Sequence, residues 1–296
     1  MLAPAVILFL FGIVIGSFLN VVTMRYELLG SIVATKKIGG RSHCPKCKTT
    51  LRWYELLPIF SFILQGRKCR HCDYRLSWQY PTVELLTGIL TAAIPLTLYV
   101  RFDILFAEAA GGFLVWFYAM CGLWLVAAYT FLVLSIIDLK YTIIPDAANI
   151  LLGVLGLGVV AIKWFYAPLL AYYGSFLGSY SSFLPVSDAA LLIQTLFSVG
   201  VGAVLFGGII ALTRGRGMGL GDLKLVVPIG LLLGWPDTVL AIAASFIIGA
   251  IISVFLMLFG QKSFKDGVPF GPFLAVAVFV TMFFGEAIMS WYFSLL

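Results

Sequence analysis

Charge is what this chain has least of. Only 11% of its 296 residues are Asp, Glu, Lys or Arg, while 62% are hydrophobic and the mean hydropathy is +1.08. A soluble globular domain is excluded, because such domains run near one-quarter charged. Long polar stretches are missing too; residues 24–80 form the one sizeable exception. No Gly-x-Gly-x-x-Gly loop follows a strand, so no Rossmann-type cofactor site is visible. The first apolar run has no basic residues before it, and Ser17, Phe18, Leu19 and Asn20 make no small-residue cleavage site, so it reads as a retained helix rather than a cleaved signal.

What remains is a polytopic membrane protein. Apolar runs fall at about 4–23, 81–100, 112–137, 147–167, 188–213, 220–235, 237–259 and 270–293. Lipid offers no partner to a bare backbone amide, so these runs must be helices, and they are too long and unbroken for barrel strands. The expected fold is all-α, with about eight transmembrane helices. The expected organisation is a first helix over 1–23, a cytoplasmic module over 24–80 and a membrane core over 81–296. The sixth run is short and glycine-rich.

The net charge of +6 is no nucleic-acid footprint. With the N-terminus outside, the loops 24–80, 138–146, 214–220 and 260–269, with their flanks, hold every Lys and Arg of the 19 except Arg101 and Lys163. That asymmetry predicts these loops to be cytoplasmic. The uncharged loop 168–186 is then external.

Four of the five cysteines lie in the polar module, as HCPKC at 43–47 and CRHC at 69–72. Two C-x2-C pairs supply four thiolates, the usual set for structural zinc, so Cys44, Cys47, Cys69 and Cys72 are the predicted ligands. A cytoplasmic location argues against disulfides. Four protein ligands leave no open position for a reacting water, so the metal's work is to hold a small module together. His43 and His71 read as flanking residues, and Cys121 as a packing residue inside the third helix.

Two carboxylates stand at the edges of apolar segments, Asp138 in SIIDLKYTIIPD and Asp222 in GMGLGDLKL. Such charges are costly to desolvate, which makes them functional candidates. The charge asymmetry puts both at the cytoplasmic face. A pair of this kind shares a proton, so one can activate water while the other polarises a carbonyl, as in aspartic proteases. The bland reading pairs them with Lys140 and Lys224 as interfacial anchors. Asp146 competes for the first position, but its place before the fourth helix suits a helix cap. A proton or cation relay in a transporter is the reading from another class; midplane carboxylates and an inverted repeat would favour it, and neither is apparent.

The chain also resembles the type IV prepilin peptidases, over nearly its whole length. The likeness is carried by GSFLNVVTMR at 16–25, the cysteine pairs, LRWYELLPIFS at 51–61, PTVELLTG at 81–88, IDLKYTIIPD at 137–146, GMGLGDLKL at 217–225 and PFGPFLA at 269–275. Gly219–Asp222 is similar to the GxGD motif of intramembrane aspartyl proteases. The resemblance implies Asp138 and Asp222 as catalytic residues and prepilins or pseudopilins of a pilus or type II secretion machinery as substrates. It also implies a bacterial inner-membrane location and N-methylation of the new terminus from S-adenosylmethionine. For that second reaction the candidate cofactor-binding residues are Glu84, Arg25 and Glu55, with Asn20 and Trp53 beside them. A peptidase without methylation is the alternative, and the intact cysteine pairs speak against it.

Overall fold

A computed structural model of the chain describes residues 2–26, 40–108, 113–165, 175–177, 180, 188–260 and 267–295. Its described helices are α1 (Leu2–Met24), α2 (Phe60–Leu64), α3 (Gln79–Glu108), α4 (Phe113–Tyr141), α5 (Asp146–Phe165), α6 (Asp188–Thr213), α7 (Leu220–Leu233), α8 (Asp237–Leu258) and α9 (Gly271–Ser294), with a 3-10 turn at Trp53–Leu56. Two compact units emerge, Met1–Leu96 and Thr97–Leu296, and their boundary falls inside α3. The expected external loop 168–186 lies almost wholly outside the described residues, as do 27–39 and 261–266 of the expected cytoplasmic loops.

Among the described residues, seven helices contain apolar stretches of 20 to 27 residues, enough to cross a membrane. They are apolar on all sides because lipid and protein make the same demand of a side chain. Accordingly Ile7, Phe11 and Val14 of α1 and Ile247, Ile251 and Phe255 of α8 stay exposed. The sixth of the eight predicted spans differs. Its helix, α7, has 14 residues, about 21 Å, which is short of a hydrocarbon core of roughly 30 Å. Length matters only to a helix that faces lipid, and α7 packs between α5 and α6, with Leu225, Val226, Ile229 and Leu232 fully buried. Both its ends are tied to α5 and its approaches. Lys224 bonds Asp146 at one end, and Lys163 Nζ donates to Leu233 O at the other.

In the first unit α1 and α3 cross at van der Waals range. A Cβ on Gly12 would stand 2.8 Å from Gly88 Cα, and one on Gly16 would stand 2.6 Å from Glu84 Cα. Small residues four apart let membrane helices approach this closely. Asn20 Nδ2 then donates to Tyr80 O at 3.0 Å, and Gln79 Nε2 to Thr23 Oγ1 at 3.3 Å. These bonds fix the end of α1 against the start of α3.

The second unit holds acids near both ends of α7. Asp138 and Asp222 stand near its start. Near its end, Asp237 is fully buried, accepts from the Ser175 hydroxyl and from Phe176 N at 2.9 Å, and interacts with Lys163. Three turns are thereby pinned together at one end of the α5–α7–α8 group.

Candidate functional site

Asp138 sits one turn before the end of α4, 4% exposed. Its Oδ2 accepts from Gly271 N at 3.1 Å, at the start of α9. That bond is possible because residue 271 has no side chain: a Cβ there would lie 2.7 Å from the same oxygen. Asp222 lies in the first turn of α7, where a carboxylate complements the helix dipole and accepts from the Gly219 backbone. The two carboxylates interact electrostatically, across 84 positions of sequence. The arrangement is one buried acid and one half-buried acid, with glycines at positions 219, 221 and 271 beside them.

The competing pairings resolve differently from the bland expectation. Lys224 bonds Asp146 at 2.8 Å on the exposed surface, and Lys140 lies over the Tyr141 ring at 4.9 Å. Asp146 is the first residue of α5, and the cap itself is Pro145, whose carbonyl accepts from Ala148 N and Asn149 N. Asp146 is thus occupied by a lysine, and among the described residues no ion pair involves Asp138 or Asp222.

The cysteine module is two copies of one small fold. His43 and Thr50 bridge around the first C-x2-C pair, Lys68 and Arg75 around the second. Cys44 N donates to Thr49 O and Lys48 N to Cys44 O; Cys69 N donates to Tyr74 O and Asp73 N to Cys69 O. Lys48 and Asp73, each four residues past a first cysteine, both take positive φ, at 60° and 53°. The copies bring Cys44 Sγ to 3.8 Å from Cys72 Sγ and Cys47 Sγ to 4.0 Å from Cys69 Sγ, and all four sulfurs lie within 4.8 Å of one another. Sulfurs at about 2.3 Å from a tetrahedral zinc are about 3.8 Å apart, so the set is nearly of the right size. All four are free thiols, and His43 and His71 stay outside the cluster. Hydrogen bonds from Thr49 pull the Cys47 thiol down to about 6. Cys72, although a Tyr74 hydrogen bond favours its thiolate, is pushed up to about 11 by desolvation and the other three sulfurs. A cation would relieve that crowding of charge.

A cavity of about 500 Å³ opens between this module and the ends of α1 and α3. Asn20, Arg25, Glu55 and Glu84 line it, together with Tyr80, Cys44 and Cys69. Both glutamates are about 6% exposed. Glu84 Oε2 accepts from Ile59 N at 2.7 Å and its carboxylate also bonds Ser17; Glu55 Oε2 accepts from Arg52 N at 2.8 Å. Asn20 is 1% exposed and its Oδ1 has no hydrogen-bond partner. Trp53 is the exception among the expected residues. It is 76% exposed and not part of the lining.

Sequence reasoning did not single out Asp237, Ser175 or Tyr80. An acid right after Trp235-Pro236, at the mouth of an apolar run, was the available signal for the first. Nothing local marks the other two.

The bacterial peptidase A24 N-terminal domain family matches residues 10–98, and the type IV leader peptidase family matches residues 125–254. Among curated proteins, the "Prepilin leader peptidase/N-methyltransferase" of Bacillus subtilis (strain 168) is 29% identical, covering 97% of this chain and 96% of its own length. Proteins of the same name from Legionella pneumophila and Pseudomonas aeruginosa are each 28% identical over 96% of this chain, and over 92% and 91% of their own lengths. No solved structure matches the chain.

Proposed function

The chain belongs to the type IV leader peptidase family, and from that premise we propose that it cuts the leader from prepilins with Asp138 and Asp222 and methylates the new terminus in the cavity beside the cysteine module. Pseudopilins and the pilus or type II secretion machinery are the expected company. The membrane would be the bacterial inner membrane, with the N-terminus outside and both sites at the cytoplasmic face.

The observation that supports the peptidase reading is that Asp138 and Asp222 are near enough for their like charges to repel, and neither has an ion-pair partner among the described residues, while Asp146 is taken by Lys224. Carboxylates sharing a site hold one proton between them. The ionised member removes a proton from water, and the water oxygen attacks the scissile carbonyl carbon. The protonated member hydrogen-bonds the carbonyl oxygen. As the tetrahedral species collapses, the C–N bond breaks and the amine leaves with the proton returned by the carboxyl that took it from water. The glycines around the pair give room for an extended peptide, the form in which a peptide bond is open to attack.

For methyl transfer the cavity chemistry fits a cationic cofactor. S-Adenosylmethionine, when bound, supplies an electrophilic methyl group on a sulfonium. Glu55 and Glu84 present buried negative charge suited to that cation and to the incoming ammonium terminus. Asn20 Oδ1, buried and without a partner, is an acceptor awaiting a donor. About 500 Å³ is within the usual range for a cofactor pocket. Zinc on Cys44, Cys47, Cys69 and Cys72 would have a supporting role, since Cys44 and Cys69 form part of the cavity wall.

The test is purified enzyme in liposomes with a prepilin, scored by mass spectrometry for leader loss and for a gain of one methyl group. Asp138→Asn and Asp222→Asn should each abolish cutting; normal cutting by either overturns the dyad. Calorimetric binding of S-adenosylmethionine should weaken at least tenfold in Asn20→Leu and Glu84→Gln. Wild-type affinity in both removes the cofactor from this cavity.

A further inference from the structure

The polar module carries an apolar surface that neither reaction uses. Between the two knuckles runs Leu56-Leu57-Pro58-Ile59-Phe60-Ser61-Phe62-Ile63-Leu64. Phe60, Ile63 and Leu64 share one face of α2 and are 62%, 67% and 76% exposed; Leu57 and Trp53 beside them are exposed as well. Single exposed apolar side chains are ordinary, but a contiguous set marks an interaction surface.

Its depth is given by two contacts. Phe62, the buried residue of α2, packs on Trp78 at 5.3 Å, and Trp78 immediately precedes the membrane-length stretch of α3. Ile59 N donates to Glu84 Oε2, five residues into that stretch, about 7.5 Å along the helix. The segment therefore lies between the mouth of a membrane span and one and a half turns inside it. That is the layer where headgroups meet acyl chains, and where interfacial helices bury their apolar faces. Holding the segment there has a cost. Ile59 has φ 62° and ψ −52°, the centre of a strained γ-turn closed by Phe60 N donating to Pro58 O, and the Glu84 bond helps to hold it.

The surroundings suit an anionic lipid surface. Arg52, Lys68, Arg70 and Arg75 are exposed around the segment, with Asp73 as the exposed acid among them. Arg67 lies over the Trp78 ring at 5.3 Å and Arg70 over Tyr54 at 5.4 Å, the mixture of aromatic and basic groups typical of membrane interfaces.

We propose that residues 57–64 dip into the bilayer surface on the module's side, with Phe60, Ile63 and Leu64 among the acyl chains and the flanking arginines and lysines on anionic headgroups. The module is then anchored at three points, α1, α3 and this segment, and the cavity opens at the membrane surface. The inference rests on geometry within the first unit and does not depend on either chemical activity.

The experiment places a benzophenone amino acid at Leu64 or Ile63 of the full chain, reconstituted in nanodiscs of phosphatidylcholine with phosphatidylglycerol, with Asp73 as the control position. On illumination, positions 63 and 64 should give lipid adducts at least tenfold above position 73, with no substrate present and equally with saturating prepilin. Adducts to prepilin in place of lipid would make the surface a substrate dock and overturn the proposal, as would lipid adducts no more frequent than at position 73. A second readout covers misfolded variants: in correctly assembled Ile63→Asp/Leu64→Asp protein, amide exchange over 59–66 should rise at least tenfold in the same nanodiscs. Unchanged exchange also overturns it.

Discussion

Gly271 N donates to Asp138 Oδ2 at 3.1 Å, joining the first turn of α9 to the last turn of α4 across 133 positions of sequence. The bond sets one oxygen of a buried carboxylate and leaves the other for chemistry. Gly271→Ala would put a methyl group 2.7 Å from that oxygen and 3.3 Å from Leu134 Cδ2. The carboxylate is the movable partner, so it should rotate away while the helices stay packed. Misplacing a reacting group by about 1 Å costs on the order of a hundredfold in rate. The expected outcome is a fall of that order in kcat/KM for leader removal with a melting temperature close to wild type. Wild-type kcat/KM would show that this bond does not orient the reacting group.

The Lys224–Asp146 pair should matter little. Its side chains are 57% and 68% exposed, and exposed pairs contribute about 0–1 kcal/mol. Asp146→Asn and Lys224→Ala should therefore each keep cutting within about threefold of wild type. A hundredfold loss in Asp146→Asn, beside normal cutting in Asp138→Asn, would replace Asp138 by Asp146 in the catalytic pair.

Much of this was legible in the chain. Runs of about 20 apolar residues can only be helices in lipid, and two C-x2-C pairs with few acids nearby point to one metal cluster. The sixth run is already short in the sequence, but its enclosure between α5 and α6 was not legible, because a hydropathy window cannot tell lipid from enclosing protein. Convergence of Asn20, Glu55 and Glu84 on one cavity depends on the crossing at Gly12, Gly16 and Gly88, a long-range relation with no local marker. Trp53 misled for a related reason. Aromatic residues near a polar module suggest a binding site equally with a surface turned outward, and this one is turned outward. The Asp237–Ser175–Lys163 cluster joins positions up to 74 residues apart, so no motif could announce it.

Gly16 offers a way to separate the two reactions. In Gly16→Leu the new Cβ would fall 2.6 Å from Glu84 Cα, a backbone atom that cannot swing aside. The α1 and α3 helices must part, which carries Asn20 away from Tyr80 and Glu84 away from Ser17. S-Adenosylmethionine binding should drop at least tenfold. Leader removal should stay within about threefold, since Asp138, Asp222 and Gly271 belong to the other unit. Equal loss of both activities would tie them to one site.

Metal removal provides the same separation by another route, with a defined pH dependence. A tetrahedral site needs four thiolates, so protons compete with the metal. Cys47 is mostly thiolate at neutral pH because Thr49 holds it near 6, while Cys72 at about 11 keeps its proton at neutral pH until a bound cation displaces it. Metal affinity should therefore fall steeply as pH drops, and steepen further below about 6, where Cys47 joins the groups that must be deprotonated. Metal content measured after dialysis should be close to one zinc per chain at pH 7.5 and be lost progressively toward pH 5. Chelation at pH 7.5 should loosen the wall formed by Cys44 and Cys69 and stop methyl transfer, leaving prepilin cut but unmethylated. Loss of cutting in parallel with methylation would mean that the metal serves the aspartates as well, and undiminished methylation would detach the cluster from the cavity beside it.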